Sequence, residues 1–175
     1  RHVQNNTLVS SENNASGIIR LRDKNNDFSG KALAMTVDCN PRYVYLEPFK
    51  GTMSAVAESV RNLICVGASP LAVTNNLNFG NPEKDDIYYQ LYVAVDGLKR
   101  ACEVFNTPVT GGNVSLYNEH SGEAIYPAPV IGMVGLIEDE AKTMTPQFKE
   151  AGDQIALIGR FRPTLGGSEY LYCRT

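Results

Sequence analysis

The chain has 175 residues, 43% of them hydrophobic and 20% charged, which is enough apolar material for a packed core and excludes disorder as the default. A net charge of −3 and a pI of about 5.4 exclude a basic face that wraps nucleic acid, but not small phosphate ligands, which need only local donors. No apolar run approaches the ~20 residues of a membrane helix, and Cys39, Cys65, Cys102 and Cys173 stand at no zinc-ligand spacing, so buried thiols of a cytoplasmic protein are expected.

Residues 1–30 are polar, rich in Asn, Ser, Arg and Asp, and read as an arm or linker, with Gly17–Leu21 the one hint of a short strand. Ala32–Asp38 reads as a strand that turns at Asn40-Pro41. Tyr43–Leu46 reads as a second strand, stopped by Pro48. Thr52–Val66 carries Met53, Val56, Val60, Leu63 and Ile64 on one helical face, with Thr52 as its cap and Gly67 suited to the left-handed residue after its end.

Pro70–Asn76 reads as a strand. Asn81-Pro82 then opens a longer helix with Glu83, Asp85 and Asp86 near its start and a buried stripe of Ile87, Leu91, Val95, Leu98, Cys102 and Phe105. Thr107–Thr110 is a strand that breaks at Gly111-Gly112. A polar hairpin covers Asn118–Glu123, Val130–Ile137 is a glycine-rich strand, and Gln154–Ile158 begins another. The chain opens at Arg1 and stops at Thr175, just after Leu165–Leu171, which reads as a loop entering a helix; a piece of a longer chain is expected. Strands and helices do not alternate strictly, so the fold class is α+β.

Two segments carry candidate chemistry. In Asn75-Asn76-Leu77-Asn78-Phe79-Gly80-Asn81-Pro82 a strand ends in a cluster of amides before a helix N-terminus. This suits an anion or nucleotide, or is a plain capped turn. In Thr110-Gly111-Gly112-Asn113-Val114-Ser115 the paired glycines let a ligand approach the backbone. Asn113 offers Mg²⁺ a hard oxygen, and Ser115, two residues on, shares its side of a strand; a glycine bulge is the plainer alternative. Without a secretory leader, Asn113-Val114-Ser115 is not read as a glycosylation site.

There is no Walker loop. His2 and His120 lie in polar segments and are expected to be solvated. Asp38, Glu47 and Glu58 are expected at turns, caps or surface. A site that only holds phosphate and metal is consistent with this inventory, because phosphoryl transfer depends on positioning and charge neutralisation.

Asp38-Cys39-Asn40-Pro41-Arg42-Tyr43-Val44, Leu77-Asn78-Phe79-Gly80-Asn81-Pro82-Glu83-Lys84, Gly112-Asn113-Val114-Ser115-Leu116-Tyr117-Asn118-Glu119 and Pro129-Val130-Ile131-Gly132-Met133-Val134-Gly135, in that order, resemble the small form of formylglycinamide ribonucleotide amidotransferase (PurL). The resemblance runs from about Lys31 to Leu171. It implies a fold shared with aminoimidazole ribonucleotide (AIR) synthetase, present in that family as two tandem repeats. Residues 31–148 would be the N-terminal domain of the second repeat, and 149–175 the start of its C-terminal domain.

The resemblance also implies an ATP-dependent ligase of purine synthesis. Formylglycinamide ribonucleotide (FGAR) is activated as an iminophosphate, and ammonia from the glutaminase PurQ, with the small partner PurS, displaces phosphate. By the same resemblance Gly112 contacts ATP, Asn113 ligates Mg²⁺ and Ser115 contacts FGAR. Asn75 stands near ATP where the family pattern has Asp, so an acceptor is kept and a charge is lost. No catalytic residue is carried over, because the family's histidine and lysine belong to the first repeat. The isolated chain is therefore expected to be inactive, and to pair its exposed strands with the first repeat or with a second copy. The alternatives are another AIR-synthetase-like enzyme, or a non-catalytic nucleotide-binding or structural module.

Overall fold

The computed structural model describes residues 5–10, 14–160 and 162–174; His2 lies outside them. Strands β1 (Thr7–Val9), β2 (Gly17–Arg22), β3 (Phe28–Asp38), β4 (Ser69–Asn78), β5 (Val109–Ser115) and β8 (Ala128–Ile137) form a six-stranded sheet in the order β1-β2-β3-β8-β4-β5. The β4–β5 pair is parallel and the other pairs are antiparallel. Such a mixed sheet with helices gives the expected α+β class. Two short strands, β6 (Glu119–His120) and β7 (Glu123–Ala124), make a separate hairpin.

Helices α2 (Pro48–Cys65) and α3 (Asp85–Phe105) pack on one face of the sheet. The strict alternation of β8 follows from this: Pro129, Ile131, Met133, Gly135 and Ile137 turn toward the helices and are buried, while their neighbours are half-buried. Ile131 and Met133 meet Val56, Val60 and Leu63 of α2 and Leu98 and Ala101 of α3 in the main core. Full burial of a Val, Leu, Ile or Met side chain such as these contributes about 1.5–3 kcal/mol. A second, smaller core joins Val44, Leu77, Phe79, Ile87 and Ala94 beneath the ends of β4 and β5. The opposite face carries Met35 and Val37, both exposed.

Several expectations are corrected. Tyr43–Leu46, β-prone in composition, is helical: α1 (Pro41–Leu46) starts where the Tyr43 N–H donates to Asn40 Oδ1 at 3.2 Å with Pro41 at the first helical position. Capping chemistry outweighs propensity there. Pro48 does not stop a strand but opens α2, so Thr52 lies inside that helix, fully buried, rather than at its cap. Helix α3 begins at Asp85; Asn81 caps a preceding turn, its Oδ1 accepting from the Glu83 N–H at 2.8 Å. Val95 and Phe105 of the expected stripe are exposed, and Ala94, Gly97 and Ala101 are buried with Ile87, Leu98 and Cys102.

Residues 1–30 are not simply an arm, because β1 and β2 complete the sheet and Ile18 is fully buried in the core. Strand β5 does not break at Gly111-Gly112 but runs through them beside β4. No strand forms at 154–158, where Ile155, Leu157 and Ile158 are 81–96% exposed, since no described strand offers them a partner. Gly67 has φ +91° after α2, as the left-handed position predicts. Among the described residues no helix is long and apolar enough to cross a membrane. Of the four cysteines, all free, only Cys102 is buried; Cys39 is half-buried and Cys65 and Cys173 are exposed.

Candidate functional site

Strands β4 and β5 run in the same direction, so their C-terminal ends, rich in amides, finish side by side. Asn75 pairs with Gly112, Asn76 with Asn113, Leu77 with Val114 and Asn78 with Ser115. Successive residues of a strand point to opposite faces. Asn113 and Ser115 therefore share a face with Asn76 and Asn78, as the two-residue spacing predicts. Asn75 and Gly112 share the other face, on the side of the helices. The four residues singled out from the sequence thus occupy neighbouring rows of one strand pair but divide between its two faces. Because β5 is the sheet edge, both faces are reached around one exposed strand.

Gly112 is held to glycine by its neighbour: a Cβ there would stand 2.4 Å from both the backbone oxygen and Oδ1 of Asn75, whereas at Gly111 a Cβ would meet nothing within 4 Å. The bare backbone at Gly112 is thus a close approach between strands before any ligand is considered. Asn113 is exposed, and its amide makes no hydrogen bond among the described residues. Asn78 spends its Nδ2 on the carbonyls of Asn76 (3.1 Å) and Ala128 (3.2 Å).

The loops that leave the two strands are stitched together. The Phe79 N–H donates to Ser115 O at 3.0 Å, the Tyr117 N–H to Gly80 O at 2.9 Å and the Asn118 N–H to Phe79 O at 3.1 Å. Phe79, completely buried, pins this junction to the second core. Asn118 adds side-chain bonds from Nδ2 to Phe79 O (3.1 Å) and Ser115 O (2.9 Å), and its amide meets Ser115 Oγ at 3.1–3.2 Å. Lys84 clamps the β6–β7 hairpin through Glu119 at 2.7 Å, and that hydrogen bond holds the Glu119 carboxyl below its ordinary value. His120 is exposed in the hairpin, as expected.

Sequence reasoning missed two groups. In the sequence Asn118 is only the start of a polar hairpin; its signal is an amide three residues beyond Ser115. Asp38 is a scattered acid in the sequence, yet Oδ2 accepts from Thr36 Oγ1 (2.8 Å) and from Ser59 Oγ (2.7 Å) and Oδ1 from Asn62 Nδ2 (2.8 Å), the last two tying β3 to α2. Asp38 also sits in the cross-strand row Asp38–Ile131–Asn75–Gly112. Beside it Cys39, half-buried, has its thiol pushed up to about 11 by burial and then by the Glu58 carboxylate.

No group of three His, Cys, Asp or Glu among the described residues could hold a metal. The neutral amide oxygens of Asn113 and Asn76 suit Mg²⁺ only as a partial set completed by phosphate oxygens and water, the usual situation for that ion. Chemically the site can bind and orient.

Residues 15–137 match the family model described as AIR synthase related protein, N-terminal domain. The chain is 53% identical to phosphoribosylformylglycinamidine synthase subunit PurL of Gloeobacter violaceus, over 98% of this chain and 24% of that protein. T. maritima PurL complexed with ATP superposes with a TM-score of 0.71 at 32% identity, covering 81% of this chain and 23% of that one. The same protein complexed with FGAR gives 0.71 and 32% over 83% and 22%. PurLQS from Thermotoga maritima gives 0.60 and 33% over 78% and 23%. The chain spans about a quarter of the length of these relatives.

Proposed function

Because the chain belongs to the AIR synthase related family, through the N-terminal domain of that family, we propose that it is a segment of a PurL-type phosphoribosylformylglycinamidine synthase and forms one wall of its nucleotide and substrate site. The parent enzyme is then a cytoplasmic ATP-dependent ligase that converts FGAR, ATP and ammonia to the amidine, ADP and phosphate, with ammonia delivered by PurQ in company with PurS. Residues 149–175 open the C-terminal domain of the same repeat. The exposed edge β5 and the apolar sheet face pair with the first repeat, or with a second copy when the segment stands alone.

The observation that carries this reading is the in-register ladder Asn76–Asn113 and Asn78–Ser115 at the ends of two parallel strands, with the Asn113 amide unspent. Gly112 lets the nucleotide approach the backbone, and Asn75 supplies a neutral acceptor or donor to ATP. Asn113 would hold Mg²⁺ through its side-chain oxygen; when bound, that ion neutralises phosphate charge. Ser115 receives FGAR. This wall orients reactants and contributes no proton transfer of its own, so the isolated chain is inactive.

The test is ADP release by the complete parent enzyme with Mg·ATP and ammonia, with and without FGAR. Strict dependence on FGAR supports the ligase, and release that ignores FGAR removes it. Turnover by the isolated chain would contradict the one-wall assignment. One observation favours a purely structural module instead: the Ser115 hydroxyl is engaged by Asn118. Asn113→Ala separates the two, as argued in the Discussion.

A further inference from the structure

Asn118 stands outside every role assigned so far, yet its side chain touches the Ser115 hydroxyl and the carbonyls of Phe79 and Ser115. Its amide orientation is fixed, because Nδ2 faces two carbonyl oxygens, Phe79 O at 3.1 Å and Ser115 O at 2.9 Å. Turning the amide over would set oxygen against oxygen twice. The two N–H bonds of Nδ2 are then consumed by those carbonyls. Nδ2 also lies 3.1 Å from Ser115 Oγ but has no third hydrogen to give. The remaining contact is the Ser115 hydroxyl donating to Asn118 Oδ1 at 3.2 Å.

We infer that Asn118 is a positioning residue that turns the Ser115 hydroxyl hydrogen inward, so that Ser115 Oγ meets the substrate as a hydrogen-bond acceptor. The ligand group opposite Ser115 is accordingly a donor, an N–H or O–H, and not a phosphate oxygen or a carbonyl. This rests on the assignment of Ser115 to FGAR made above. It adds which atom of Ser115 is offered and what holds it. Tyr117, with φ +59°, adopts the left-handed conformation that side chains rarely take. That turn brings Asn118 back over Ser115, and the backbone bond from the Ile125 N–H to Asn118 O at 3.0 Å anchors it from the other side.

The test is steady-state kinetics of the complete enzyme with saturating ammonia, varying FGAR and Mg·ATP separately, for Ser115→Ala, Asn118→Ala and the double variant. Each single variant is expected to raise the KM for FGAR about tenfold, with the KM for Mg·ATP within about twofold of wild type. The double variant is expected to be no worse than the worse single one, because both remove the same oriented acceptor. Effects on FGAR that multiply, or a KM for Mg·ATP that rises in parallel, would show Asn118 to be only a loop staple and overturn the inference. An unchanged KM for FGAR in Ser115→Ala instead removes the substrate assignment of Ser115 itself.

Asn118→Asp covers the case in which the alanine variant does not fold. The carboxylate keeps an acceptor for the Ser115 hydroxyl but turns an oxygen on the two carbonyls. A lowered Tm with a KM for FGAR near wild type is expected. A KM raised as far as in Ser115→Ala overturns the inference.

Discussion

Asn75 and Gly112 meet across the parallel β4–β5 pair with no room for a side chain: a Cβ on Gly112 would lie 2.4 Å from Asn75 Oδ1. Alanine at 112 must push β5 away from β4 and disturb the rows that carry Asn113 and Ser115. Gly112→Ala is expected to lower stability by about 1–3 kcal/mol and to raise the KM for Mg·ATP at least tenfold in the complete enzyme. Gly111→Ala, with open space around it, is the control and is expected to stay within about 0.5 kcal/mol of wild type. Equal behaviour of the two variants in urea denaturation would refute the steric argument.

The Asn113 side chain is exposed and makes no hydrogen bond among the described residues, so its truncation has little structural consequence. In the complete enzyme Asn113→Ala is expected to keep its Tm within about 2 °C, below the shift that 1 kcal/mol produces in a domain of this size. It is also expected to raise the Mg·ATP requirement and to lower kcat/KM by about tenfold or more. A drop in Tm with unchanged kinetics would favour the structural module.

Asp38 accepts three hydrogen bonds, one from Thr36 within β3 and two, from Ser59 and Asn62, that tie β3 to α2. Asp38→Ala strands the hydroxyls of Thr36 and Ser59 and the Asn62 amide near the core. A loss of about 2–4 kcal/mol is expected, since bonds to a charged group carry about 1.5–3 kcal/mol each and are not additive. Chemical denaturation of the chain at neutral pH measures it, and a loss under about 1 kcal/mol would show that the bonds carry little.

Cys39 gives a pH dependence with a defined sign. The unfolded thiol ionises near pH ~8.5, whereas burial and the Glu58 carboxylate push the folded thiol up to about 11. The folded state therefore binds the proton more tightly, and this contribution is fully present below the unfolded value. It is lost as pH rises through that window toward about 11. The stability difference between wild type and Cys39→Ala is expected to shift against wild type between pH 8 and 10.5. A pH-independent difference in urea midpoints would rule out the coupling.

Much of this architecture is legible in the residues. The 3.6-residue spacing of Val56, Val60 and Leu63 marks α2, and Gly67 marks its end. The spacing of Asn113 and Ser115 foretells their common face. Tyr43–Leu46 misleads because its composition favours a strand while Asn40 and Pro41, just upstream, supply the cap that decides it. Gln154–Ile158 misleads because alternation and apolarity describe only half of a strand; the other half is a neighbour, and none is present among the described residues. Asn118 and Asp38 were illegible for a related reason. A polar residue declares its role through partners brought near by the fold, and Phe79 and Ser59, which bond to them, lie 39 and 21 positions away.

The strand at the middle of the sheet is the last to be made. β8 lies between β3 and β4, yet follows them and β5 in the chain. A nascent polypeptide emerging from the ribosome must hold two unconnected half-sheets, the β2–β3 hairpin and the β4–β5 pair with its crossover helix, until residues 128–137 arrive to zip them. Both inner edges stay open to stray pairing during that interval. Contacts of such long sequence separation slow folding, so the sheet closes only once β8 has been made.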